Sequence, residues 1–86
     1  MQVRIPTPLR SYTGDQKVVS AAGDTLDQVL RDLDRQFSGI RFRIVDEQGQ
    51  LRQHVNVWIH GERVRDLSMD LAEVDEVVIM QALSGG

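Results

Sequence analysis

Cysteine is absent from the 86 residues. That removes disulfides, thiolate metal sites and a cysteine nucleophile together. Lysine is almost absent: Lys17 is the only one, and every other basic side chain is an arginine. Aromatic residues make up 5% of the chain, and there are two prolines. Positive charge is not in excess. The formal net charge is −3 and the sequence pI about 5.2, so nothing marks a general nucleic-acid surface. No apolar run approaches the roughly 20 residues of a membrane helix. The opening MQVRIPTPLR has no apolar h-region, so no signal peptide is expected.

What is present is an ordinary globular composition, 41% hydrophobic and 27% charged. A chain this short buries roughly 60% of its unfolded surface, enough for one modest core. Gln2-Val3-Arg4-Ile5 alternates, with Val3 and Ile5 on one face, and predicts a first strand. Pro6 and Pro8 break it, and Thr13-Gly14-Asp15-Gln16 signals a turn. Lys17 to Ala21 predicts a second strand and a long-looped hairpin with the first. Gly23-Asp24-Thr25 opens a helix, with Asp24 expected as its N-cap. Leu26, Val29, Leu30, Leu33 and Phe37 recur at three- and four-residue spacing and form one apolar stripe. Ser38-Gly39 ends the helix, with Gly39 expected as a left-handed cap.

Ile40 to Val45 admits two readings, a strand by alternation or a short helical turn. Val55 to Ile59 predicts a strand with Val55, Val57 and Ile59 facing inward. Gly61-Glu62 turns it, and Val64-Arg65 is expected to pair back. Glu76 to Gln81 is nearly continuous in apolar residues and predicts a central strand beside the first. The order β-β-α-β-(β)-β makes an α+β domain over 1–81, with 82–86 expected as a mobile tail.

No phosphate loop, nucleophile elbow or zincin motif occurs, and no acid, base and nucleophile set can be assembled. Asp70, Glu73, Asp75 and Glu76 read as a solvated loop, the usual fate of charge runs. His54 and His60 fall at even spacing with Asn56 and Trp58, hence on one strand face. They stand too far apart along the strand to share a metal, and no metal site is expected. The same parity places Trp58, Val78 and Met80 together on the outer sheet face, a candidate docking patch or a surface covered by arginine stems.

The chain ends in Gly85-Gly86 after Ala82, Leu83 and Ser84. Two glycines at a given spot is about a 0.5% coincidence. Residues without Cβ can thread a channel where any side chain would clash. A bare α-carboxylate resists nucleophiles until it becomes a mixed anhydride. A second protein can make one by adenylating Gly86, whose carbonyl can then accept sulfur.

The β-β-α-β-β order with Ile5-Pro6-Thr7, Leu9-Arg10, Thr13-Gly14, Gln16-Lys17, Gly23-Asp24-Thr25-Leu26, Asp32-Leu33, Gly39-Ile40, Val55-Asn56-Val57 and Gly85-Gly86 resembles the ubiquitin-like sulfur carriers of the ThiS/MoaD superfamily. Most narrowly it resembles the CysO-like carriers of actinobacterial cysteine biosynthesis. The resemblance implies a β-grasp of four to five mixed strands on one main helix. It implies a cytoplasmic carrier and not an enzyme, with Gly86 adenylated and converted to a thiocarboxylate. Its partners would be a ubiquitin-activating-like enzyme using ATP and a sulfur-accepting biosynthetic enzyme that makes either cysteine or another sulfur-containing metabolite. In the cysteine-forming relatives that enzyme uses pyridoxal phosphate and a zinc metalloprotease releases the product; the chain itself would hold no cofactor. Ala82 to Gly85, with Met80, Val78 and Trp58, would meet those partners. Two other classes share the features: a ubiquitin-like modifier conjugated through Gly86, and a binding domain with an inert tail.

Overall fold

The computed structural model describes residues 1–82. Five strands, β1 (Gln2–Arg4), β2 (Val18–Ser20), β3 (Val55–Ile59), β4 (Glu62–Val64) and β5 (Glu76–Gln81), form one mixed sheet in the order β2-β1-β5-β3-β4. The β1–β5 pair is parallel, with Val3 opposite Val77; all other pairs are antiparallel. β5 is the central strand, as its apolar run predicts. The parallel pair requires a long crossover, and that crossover carries helix α1 (Leu26–Gln36) and the short helix α2 (Ile40–Ile44).

The inward parity is as expected. Val3, Ile5, Val55, Val57, Ile59, Val77 and Ile79 are all buried. They meet Leu26, Val29, Leu30 and Leu33 of α1, each with no exposed surface. A buried side chain of this size contributes about 1.5–3 kcal/mol, whereas an exposed ion pair contributes about 0–1. The stripe, not the surface charges, therefore holds α1 to the sheet.

Several boundaries differ from expectation for physical reasons. The N-cap of α1 is Thr25, not Asp24: Thr25 Oγ1 accepts from the Gln28 N–H at 3.2 Å. Gln28 Oε1 reaches back to the Asp24 N–H at 2.7 Å, a variant of the reciprocal box that Thr-x-x-Gln spacing encodes. The helix ends at Gln36, and Gly39, at φ +96°, instead precedes α2. The side chain of Asp34 accepts from the N–H groups of Gly39 and Arg41, both at 3.1 Å, and so selects the helical reading of Ile40–Ile44. The turn after β3 lies one residue earlier than predicted. His60 and Gly61, at φ +53° and +77°, form the two-residue hairpin loop whose twist suits the sheet. Between β1 and β2 the chain forms a 3-10 helix, Thr7–Thr13, where a plain loop is expected; Pro8 fits its start, where no N–H is needed.

Candidate functional site

The chain leaves the sheet along its central strand, so the residues around the end of β5 define the root of the C-terminal segment. Ala82 continues the ladder by one bond: its N–H donates to the His54 carbonyl at 2.8 Å. Of the tail residues expected to meet partners, only Ala82 is described, and it is exposed. Leu83, Ser84, Gly85 and Gly86 lie outside the described residues, as does most of the expected mobile tail.

On the outer face of the sheet, register brings the predicted patch together. Trp58 is directly opposite Val78, and Asn56 is opposite Met80. Trp58 and Val78 are half-buried, and Met80 is 52% exposed. Arg63 flanks Trp58 from β4 and Arg4 flanks Val78 from β1. Arg4 is held by Glu76 at 2.9 Å. The face is thus an apolar centre with arginines on either side.

The two histidines part company. His60 stands in the left-handed turn, outside the strand parity that would align it with His54. His54 precedes β3 and lines an open groove of about 570 Å³ beside the end of β5. Gln81, Tyr12, Phe42, Arg43 and Arg52 line it as well. Arg52 Nε donates to the Phe42 carbonyl at 2.7 Å, and its guanidinium lies 4.6 Å from the Phe42 ring centroid. Arg43 Nε donates to Tyr12 Oη at 2.8 Å. Sequence reasoning missed this groove, because its walls come from the 3-10 helix, α2 and the approaches to β3. Its only local signal in the sequence is the adjacent aromatic and arginine, Phe42-Arg43.

The acidic run is solvated or locally bonded. Asp70 accepts from the Ala72 N–H at 2.8 Å, and Glu76 pairs with Arg4. Among the described residues no group of three or more His, Asp or Glu could hold a metal ion. None of the described helices is long and apolar enough to cross a membrane.

Comparison with known proteins agrees with this geometry. The model of the ThiS family matches residues 3–86. The sulfur carrier protein CysO of Mycobacterium tuberculosis is 45% identical over 89 residues, covering 98% of this chain and 96% of that protein. Its crystal structure superposes with a TM-score of 0.87 at 44% identity, covering 95% of this chain and 98% of that one. The Amycolatopsis orientalis BexX/CysO complex contains a chain matching with a TM-score of 0.89 at 35% identity, covering 99% and 98%. Small archaeal modifier protein 3 of Haloferax volcanii is 28% identical over 91 residues, covering 100% of this chain and 98% of that protein. The five-stranded mixed sheet grasping α1 is the ubiquitin-like β-grasp.

Proposed function

From the premise that the chain belongs to the ThiS family, we propose that it is a sulfur carrier whose working group is the Gly86 carboxylate. The observation that carries the reading is that the family match runs to Gly86 itself, through Gly85-Gly86. The carrier is a co-substrate acted on by enzymes, as its CysO relatives are carriers by name.

The chemistry proceeds in two balanced steps on a partner. An oxygen of the Gly86 carboxylate attacks the α-phosphorus of ATP, and pyrophosphate leaves. Sulfide then attacks the carbonyl carbon of the acyl-adenylate and expels AMP, leaving a thiocarboxylate. A sulfur-accepting biosynthetic enzyme takes the sulfur as nucleophile. If the acceptor is an activated serine, pyridoxal phosphate belongs to that enzyme, and zinc belongs to a metalloprotease that frees the product. ATP, pyridoxal phosphate and zinc are thus the partners' cofactors, and the cytoplasm, where ATP is plentiful, is where the chain would work. Gly85 and Gly86 pass where a Cβ would jam. Leu83 and Ser84 follow them into the partner, while Trp58, Val78 and Met80 dock the body. An exposed apolar centre of this kind ordinarily marks a protein contact.

Intact-mass spectrometry of the untagged protein tests the reading, with the activating enzyme, ATP and sulfide supplied. We expect one oxygen-to-sulfur exchange, localised to Gly86 and trapped by alkylation. A carboxylate that stays unmodified under those conditions overturns it. The likeness to the archaeal modifier favours one second reading, conjugation of Gly86 to target lysines. Its signature in the same experiment is a Gly86 isopeptide on another protein. Full activity after deletion of Gly85-Gly86 would instead mark the tail as inert.

A further inference from the structure

Four of the nine arginines hold a carboxylate among the described residues, and five, Arg10, Arg43, Arg52, Arg63 and Arg65, do not. Arg4, Arg31, Arg35 and Arg41 are ion-paired with Glu76, Asp27, Asp32 and Asp27 respectively. Arg43 and Arg52, both in the groove at the root of the tail, have no carboxylate partner among the described residues. Each uses its Nε on a neutral acceptor, the Tyr12 hydroxyl and the Phe42 carbonyl, and keeps its terminal nitrogens for something else. Those two bonds fix both guanidinium groups on the groove wall. Among the described residues no acidic side chain lines the groove. In a chain of net charge −3, this is a local positive site.

Two further observations describe what would fit there. Gln81 Oε1 is a buried acceptor with no hydrogen-bond partner among the described residues, and Gln81 lines this groove. A buried acceptor left unmatched costs about 1–3 kcal/mol, so turning this side chain outward to meet a donor in the groove is favoured. Phe42, 58% exposed, offers an apolar wall already stacked beneath Arg52. A peptide segment bearing carboxylates satisfies all three features. Its side chains pair with Arg43 and Arg52, a backbone N–H reaches Gln81, and its stems lie on Phe42.

We infer that this groove receives an extended acidic segment of the adenylating enzyme, at the mouth of the channel that the tail enters. It is a second docking surface, on a different side of the tail root from the Trp58 face. The inference rests on the carrier reading, because it names a contact of the enzyme that activates Gly86. Its work is orientation: with the body gripped on two sides of β5, the tail is presented in one direction only. Fixed guanidinium pairs suit carboxylates, and reversing such charges acts mainly on encounter and affinity.

The test uses the full chain and the adenylating enzyme purified from the host by its ATP–pyrophosphate exchange with the wild-type carrier. We expect the double variant R43E/R52E to raise the KM for the carrier about tenfold or more, with kcat within about twofold, as for a lost steering contact. R43K/R52K should recover most of the loss, and R31E/R35E, with the same charge change on α1, should not reproduce it. The wild-type KM should climb with salt from about 50 to 300 mM, and the R43E/R52E value should climb less. Because Arg52 also holds the Phe42 carbonyl, R43E alone, which gives up only the Tyr12 bond, serves if the double variant melts early. Equal KM values and equal salt dependence for R43E and wild type overturn the inference while leaving the carrier reading intact. Absence of any pyrophosphate exchange with the wild-type chain overturns both.

Discussion

Gly23 sits against the start of α1 with no room for a methyl group. A Cβ built there would lie 2.6 Å from the Val29 nitrogen and 2.8 Å from the Gln28 carbonyl carbon. These are backbone atoms of the first helical turn and cannot swing aside. Gly23→Ala should therefore cost about 1–3 kcal/mol, the usual cost of overpacking. Urea unfolding would read this as a lower midpoint with unchanged slope. A variant as stable as wild type would mean that the loop from Ala21 to Asp24 shifts freely. The sequence marked Gly23 as the opening of a helix, but a glycine required by close approach looks the same in sequence as one required by a turn.

At the scale of elements, the outer sheet face is where stability and function should separate. Trp58 is half-buried on β3, between Arg63 of β4 and Val78 of β5, while the core lies on the opposite face. Trp58→Ala should lose about 1–2 kcal/mol of stability, well short of the 3–5 expected for a tryptophan removed from a core. On the proposed carrier reading, docking to an adenylating enzyme should weaken by more than the folding loss explains. A stability loss of core size, measured by thermal unfolding, would mean that Trp58 packs as a core residue. Strand parity makes this face legible in the sequence: a period of two sorts Val57 and Ile59 from Trp58. Parity fails at His60, because a two-residue turn with both φ values positive ends the alternation one residue sooner than Gly61 alone suggests.

The whole molecule responds to acid through a few carboxylates on its crossover. Asp27 is held below the usual carboxylate range chiefly by the Arg31 hydrogen bond, opposed by partial burial and helped by Arg41. It ties α1 to α2, accepting from Arg31 at 2.7 Å and from Arg41 at 2.9 Å. Asp32 is lowered by Arg35 and then by the Ala22 N–H, and Asp66 by the hydroxyl and N–H of Ser68. A lowered folded pKa means that the unfolded chain binds the proton first. The stability these groups contribute is present above the unfolded value of about 3.9 and is lost as pH falls through the folded values. Thermal unfolding should therefore show a plateau near neutrality and a decline beginning near pH 4 to 5 and steepening below it. Asp27→Asn should lower the plateau and shallow the decline. An unchanged acid slope in that variant would remove Asp27 from the account.

The sequence by itself determined the apolar faces, the central place of β5 and the family, because each is written in local periodicity or in a short run of residues. The tertiary structure decided what depends on partners far along the chain. The first N–H groups of α1, those of Leu26 and Asp27, are taken by the carbonyls of Met69 and Leu67. That pairing, together with the Thr25 cap, fixes where the helix begins. Asp34 turned an ambiguous alternation into α2 by capping it from the preceding helix. The groove beside the tail root exists only when the 3-10 helix, α2 and the start of β3 converge. Periodicity reports which side of an element avoids water; it carries no record of which distant hydrogen-bonding group will meet it.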